Sequence, residues 1–191
     1  MIALAVTLSF FPIYEVLMGG SVTFAAMLPI IILAYRHGAK WGFGAAFVFS
    51  VLQLLLGLKS LSYGTTALAV ISIIFIDYIL AYTLLGAAAF ARNVIKGTGK
   101  KAAVANISLA TLLVCALRFL CHWLVGGVVW YGLTKNVWYA DDTAHIVHKY
   151  GPYVYSFVYN ISYMLPELII TLAVAIFISL IINFKRENLR Y

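Results

Sequence analysis

Six apolar stretches dominate this chain, at roughly residues 2–17, 22–35, 41–58, 66–91, 103–131 and 153–184. A helix needs about 20 such residues to cross a bilayer. Only 10% of the 191 residues are charged, against about 25% in soluble domains, and mean hydropathy is +1.02. Together these features predict an all-α integral membrane protein. Its six transmembrane helices would form one bundle, a single domain over 1–191. A cleaved secretory signal is not expected, because the first stretch lacks a basic leader and a small-x-small cleavage site. Residues 22–35 span only about 21 Å as a helix at about 1.5 Å per residue, so this stretch must tilt little, sit in thinned lipid or pack inside the bundle. Pro166 should kink the sixth stretch.

Placement of the charges sets the orientation. Arg36, Lys40, Arg92, Lys96, Lys100, Lys101, Lys185, Arg186 and Arg190 fall on one side. Lys59, Lys135 and Lys149 fall on the other. Basic residues accumulate on the cytoplasmic side, which predicts both termini inside. The net charge of +7 therefore reflects membrane orientation and does not point to nucleic acid. Residues 18–21, 59–65 and 132–152 become the outer loops. The last of these holds Trp138, Asp141, Asp142, His145 and His148, with the two histidines read as a solvated face.

Two of the six acidic residues, Asp77 and Glu167, lie deep inside long apolar stretches. A carboxylate at mid-bilayer costs at least roughly 2.5 kcal/mol, so it marks a pocket or a partner. Asp77, followed by Tyr78, is either a fixed negative charge for a cationic ligand or a helix-packing residue that is protonated or paired with Arg118. Arg118 keeps its proton and needs a carboxylate, for which Asp77 and Glu167 are the intramembrane candidates. His122 lies four residues on, sharing the Arg118 face, and is a ligand contact or a satisfied core histidine. Trp130, Tyr155, Tyr159 and Tyr163 belong to the outer half, as an interfacial belt or as stacking surface. Asn160 is a ligand contact or helix–helix glue. Asp77, Glu167 and Arg118 leave the interior at a net −1 with His122 neutral, which a monocationic aromatic ligand would balance. Cation–π attraction would add up to roughly 2 kcal/mol.

Other chemistries find less in the chain. The apolar stretches hold no His-x-x-x-His or Glu-x-x-His pair, so no metal site is expected. No Walker A sequence is present, so any ATP hydrolysis belongs to another chain. No inverted repeat shows in the hydropathy, against an alternating-access transporter. Cys115 and Cys121 are six apart on one helix; at about 100° per residue they face different ways and read as packing residues.

Several spaced motifs resemble one family, the thiamine-specific substrate-binding subunits (S components) of energy-coupling factor (ECF) transporters. Gly19-Gly20-Ser21-Val22 with Met27-Leu28-Pro29 resembles that family's first outer loop and second helix. Tyr35-Arg36-His37-Gly38 resembles its basic turn. Asp77-Tyr78 with Leu80-Ala81-Tyr82 is similar to its acidic-Tyr motif in helix four. Arg118, His122, Gly126 and Trp130 resemble its helix-five pattern, and Tyr155 with Asn160 its helix-six pair.

The resemblance implies an S-component bundle whose outward pocket binds thiamine through Asp77, Tyr78, His122, Trp130, Tyr155 and Asn160. Arg118, Glu167, Tyr159 and Tyr163 would support them. It implies no enzyme activity and no cofactor. The expected partners are an ECF transmembrane coupling protein, two ATPase subunits and membrane lipid, in the plasma membrane. Docking is expected through small residues of helix one, Ala3 and Ala5, with Ala3 as the second alanine of an Ala-x-x-x-Ala ridge whose first would precede residue 1. The chain departs from the pattern where some members carry Glu in place of Asp77, and where some carry a first-loop Trp in place of Gly19 and Gly20. The alternatives are an S component for a pyrimidine precursor of thiamine, and a small intramembrane enzyme using Asp77, His122 and Glu167.

Overall fold

The computed structural model describes residues 1–16, 19–97 and 99–182. Leu17, Met18 and the basic tail residues Lys185, Arg186 and Arg190 lie outside the described residues. The chain runs α1 (Ile2–Ser9), β1 (Pro12–Glu15), β2 (Ser21–Thr23), α2 (Leu28–His37) and α3 (Ala39–Leu56). Then come α4 (Ala67–Ala91) and α5 (Lys100–Trp138), α6 (Ile146–Lys149) and α7 (Pro152–Ile181). A 3₁₀ turn, Leu58–Tyr63, precedes α4.

Four helices, α3, α4, α5 and α7, are long and apolar enough to cross a membrane. The expected count of six is not met among the described residues, and the first two stretches account for the difference. Stretch one divides into α1 and a strand. Pro12 disfavours helical backbone at Phe11 and offers no N–H for a helix to continue. It is tolerated in β1 because that strand lies at the edge of a two-stranded sheet. Antiparallel pairing places Tyr14 opposite Val22 and Glu15 opposite Ser21. Stretch two is therefore strand first and a ten-residue helix after. That helix resolves its shortness by burial: Leu28, Ile30, Ile31, Ile32, Ala34 and Tyr35 all lie in the core.

Beyond that point the sequence boundaries hold more closely. Helix α5 runs seven residues past its expected end, because Thr134 returns its hydroxyl to the Trp130 carbonyl at 2.7 Å and the helix continues into the expected 132–152 loop. Thr66 caps α4 by accepting from the Ala69 N–H at 3.1 Å. Helix α7 continues through Pro166.

The core at one end of the bundle is made of small residues. There α2, α3, α5 and the last turns of α4 converge, with Ala34, Ala46, Ala87, Ala88, Ala91 and Ala110 packed with Phe49, Leu85 and Ile107. Ala5 belongs to this core and is fully buried, whereas Ala3 is exposed. The expectation that Ala3 and Ala5 share one docking surface is thus corrected. Two residues on a helix differ by about 200° and face opposite ways.

Candidate functional site

At the other end α4, α5 and α7 enclose a polar pocket. Its lining comes from α4 (Asp77, Tyr78, Tyr82), α5 (Arg118, His122, Gly126, Trp130) and α7 (Tyr159, Asn160, Tyr163). Gly19, Gly20, Ser21 and Ser60 add the walls above them. Helix geometry changes where the site is built. Asp77 and Tyr78 sit in a stretch of π turns, Ile73–Leu80, and Trp130 ends another, Gly126–Trp130. Eight residues of regular α-helix would rotate Trp130 about 80° away from His122. The wider π turn advances less per residue and brings both onto one face.

The two rings then converge on a single carboxylate. His122 Nδ1 lies 2.9 Å from Asp77 Oδ1, and Trp130 Nε1 donates to Asp77 Oδ2 at 2.9 Å. Asp77 is 6% exposed. The second nitrogen of His122, Nε2, is buried with no partner among the described residues.

Arg118 chooses the other acid. Its Nη1 meets Glu167 Oε2 at 3.0 Å and also reaches Met27 Sδ at 2.9 Å. Its Nη2 donates to the Tyr82 hydroxyl at 3.0 Å, and the guanidinium stands 4.6 Å from the centre of the Tyr82 ring. The alternative that Asp77 is a packing residue paired with Arg118 is thereby excluded. Glu167 takes the arginine, and Asp77 keeps the pocket.

Asn160 and its neighbours tie α7 to α5. The Ser156 hydroxyl donates to the Trp123 carbonyl at 2.8 Å and Asn160 Nδ2 to the His122 carbonyl at 3.4 Å, while within α7 the Tyr163 hydroxyl donates to Asn160 Oδ1 at 2.7 Å. Gly126 is required there, since a Cβ would overlap the Ser156 hydroxyl. Gly20 lets the chain pass against Tyr163, whose ring stands 2.8 Å from where a Cβ would be. Above, the Tyr78 hydroxyl donates to Ser60 Oγ at 3.1 Å. The Tyr63 ring meets Trp130 and Trp138 edge-on, at 6.2 and 5.1 Å.

The structure gathers most of the sequence candidates into the lining and leaves two outside it, Glu167, which holds Arg118, and Tyr155. Tyr155 is 3% exposed but is not among the lining residues. It packs against Tyr131, Tyr159 and His145 at ring distances of 5.9, 6.2 and 6.3 Å. His145 and His148 are half-buried among mostly exposed neighbours and both engage Tyr139: His145 stacks on its ring at 3.7 Å, and His148 Nε2 meets its carbonyl at 2.6 Å. No cluster fit to hold a metal occurs among the described residues. Cys115 and Cys121 are free and buried. The motifs that carry the resemblance include Tyr82 and Met27 but give neither a part in the site, and Ser60 and Thr23 are in none of them. Tyr82 was within reach, four residues after Tyr78 and so on its face; nothing in the sequence marks Ser60 or Thr23.

Comparison with known proteins places this geometry. The family model described as "Thiamine transporter protein" matches residues 1–187. The thiamine transporter ThiT of Bacillus subtilis (strain 168) is 26% identical over 156 residues, 80% of this chain and 71% of that protein. The solved structure of ThiT from Listeria monocytogenes superposes with a TM-score of 0.69 at 19% identity. That match covers 94% of this chain and 89% of the other.

Proposed function

Because the chain belongs to the thiamine transporter protein family, we propose that thiamine is held in the pocket between α4, α5 and α7. The protein is a multi-pass plasma-membrane transport component of the thiamine-specific S type, and not an enzyme. The observation that carries the pocket assignment is the convergence of His122 and Trp130 on the buried carboxylate of Asp77, each at 2.9 Å. Arg118 and Glu167 satisfy one another at 3.0 Å, so Asp77 is the carboxylate left to meet a cation.

Thiamine is an aromatic cation with an aminopyrimidine ring. Asp77 supplies the opposing charge. Trp130 spends its N–H edge on Asp77, which leaves the ring face for cation–π attraction. His122 Nε2, with no partner among the described residues, supplies a hydrogen-bonding position. Tyr78, Tyr159, Asn160 and Tyr163 supply hydroxyl and amide groups around it. Tyr155 acts from behind, through its stacked contact with Tyr159.

The pocket opens to the outside in this reading, with the basic turns at 36–40 and 92–101 in the cytoplasm. Transport then needs an ECF coupling protein and two ATPases, since the chain carries no Walker A sequence and no inverted repeat to rock about a fixed site. The exposed side of α1 that carries Ala3 is a candidate contact for that partner. Calorimetric titration of the purified protein with thiamine and with riboflavin tests the pocket. Saturable binding of thiamine alone is expected, and no heat with thiamine overturns it. In liposomes the chain alone should bind external thiamine without accumulating it. Concentrative uptake driven by an ion gradient would overturn the need for partners.

A further inference from the structure

Glu167 uses its two oxygens on two different parts of the molecule. Oε2 holds Arg118, a residue of the pocket lining, at 3.0 Å. Oε1 accepts the hydroxyl proton of Thr23 at 2.9 Å, across 144 residues of sequence. Thr23 ends β2 and is 5% exposed, and Glu167 is 3% exposed. Two residues before Thr23 lies Ser21, which with Gly19 and Gly20 walls the pocket.

The corner after Thr23 is the place where this wall joins the bundle. Ala25 takes a positive φ of 55°, the one non-glycine residue to do so among those described. An L side chain pays for that conformation. The Thr23 oxygen steadies the corner by accepting the Ala26 N–H at 3.3 Å. Arg118 reaches the same segment one residue later, through Met27 Sδ at 2.9 Å. Wall, corner, Glu167, Arg118 and pocket floor therefore form one connected set of buried polar contacts.

We propose that Glu167 is a two-sided clip that sets the position of the pocket wall, with Thr23 and Glu167 as positioning residues for ligand retention. One oxygen fixes the floor through Arg118, and the other fixes the β2 wall through Thr23. Neither residue needs to touch the ligand. Losing the Thr23 hydroxyl opens only the wall side of the clip, because the Arg118–Glu167 pair does not depend on it. The wall then sits less firmly over a bound ligand, and the ligand leaves sooner. The choice of ligand in the test rests on the thiamine reading above.

The test is dissociation of labelled thiamine from the purified protein, chased with unlabelled thiamine, in wild type, Thr23→Val and Thr23→Ser. Valine keeps the shape and burial and removes the hydroxyl. A bond to a charged acceptor is among the stronger hydrogen bonds, and we expect Thr23→Val to release thiamine about tenfold faster with association within about twofold. Thr23→Ser should return the rate to within about twofold of wild type. A Thr23→Val rate equal to wild type, or a serine variant as fast as valine, overturns the clip. Hydrogen exchange on the empty protein is the second measurement. Thr23→Val should speed exchange at β2 and at the Ala26 amide while α5 and α7 stay unchanged, and unchanged exchange at β2 overturns the proposal. If Thr23→Val does not fold, wild type decides: thiamine should slow exchange at β2 and Ala26, and equal exchange overturns it. Wild type that binds no thiamine would sink the ligand reading, and the exchange comparison on the empty protein would still decide the clip.

Discussion

The two ends of the bundle are built on opposite principles, and α4 shows both within one helix. Its π-turn stretch, Ile73–Leu80, carries Asp77 and Tyr78 to the pocket. Its last turns, Leu84–Ala91, tighten to 3₁₀ and are buried at Leu85, Gly86, Ala87, Ala88 and Ala91. Wide turns spread side chains and leave room between helices. Tight turns of small residues let backbones close on one another, as where a Cβ on Gly86 would stand 2.7 Å from Phe43. The pocket end is held by few, directional polar pairs, and the packed end by shape. A change at the first should be read in binding or in the stability of a buried charge, and a change at the second in stability alone.

Four substitutions test that division. Glu167→Gln should have the largest effect, because it leaves Arg118 buried without a carboxylate, a loss of about 3–5 kcal/mol. Thermal unfolding in detergent measures it, and a midpoint equal to wild type would show that the pair at 3.0 Å contributes nothing. Asp77→Asn should preserve folding and weaken thiamine binding by about 2–5 kcal/mol, read by calorimetry. Unchanged affinity would remove the charge argument for the pocket. Trp130→Phe keeps a ring but deletes the N–H to Asp77, for about 1.5–3 kcal/mol of binding. It should also abolish most of the tryptophan quench on adding thiamine, and a full quench in this variant would move the stacking role to another tryptophan. Gly86→Ala belongs to the packed end. Overpacking there should cost about 1–3 kcal/mol of stability, with thiamine affinity of the folded protein unaltered. Loss of affinity without loss of stability would break the comparison.

Much of the site could be read in advance because lipid makes polarity conspicuous. Asp77, Arg118, His122, Asn160 and Glu167 stand out in apolar stretches, and all but Glu167 line one pocket. Glu167 sits one bond away, on Arg118. The hidden part of the site was the part with ordinary residues. Ser60 and Thr23 lie in segments where a hydroxyl has no distinguishing mark, and each gains its place from a partner on another element, Tyr78 and Glu167. The first apolar stretch misled for a related reason. A mostly apolar stretch of sixteen residues fits a helix and a helix plus strand equally well by periodicity, and Pro12 was the local signal against a continuous helix.

The sequence by itself determined the membrane class, four of the spans, the presence of a polar site and the family resemblance. Hydropathy and residue type are sums along the chain, and a bilayer acts on those sums directly. What only the tertiary structure decided was which partner each polar group meets. Arg118 had two carboxylates to choose from, and the azimuth of α7 against α5 gave it Glu167 while π turns turned His122 and Trp130 toward Asp77. Ala3 and Ala5 look alike in sequence, yet one faces out and the other lies in the core. Such choices depend on rotation about helix axes and on contacts between distant segments, and no one-dimensional pattern encodes either.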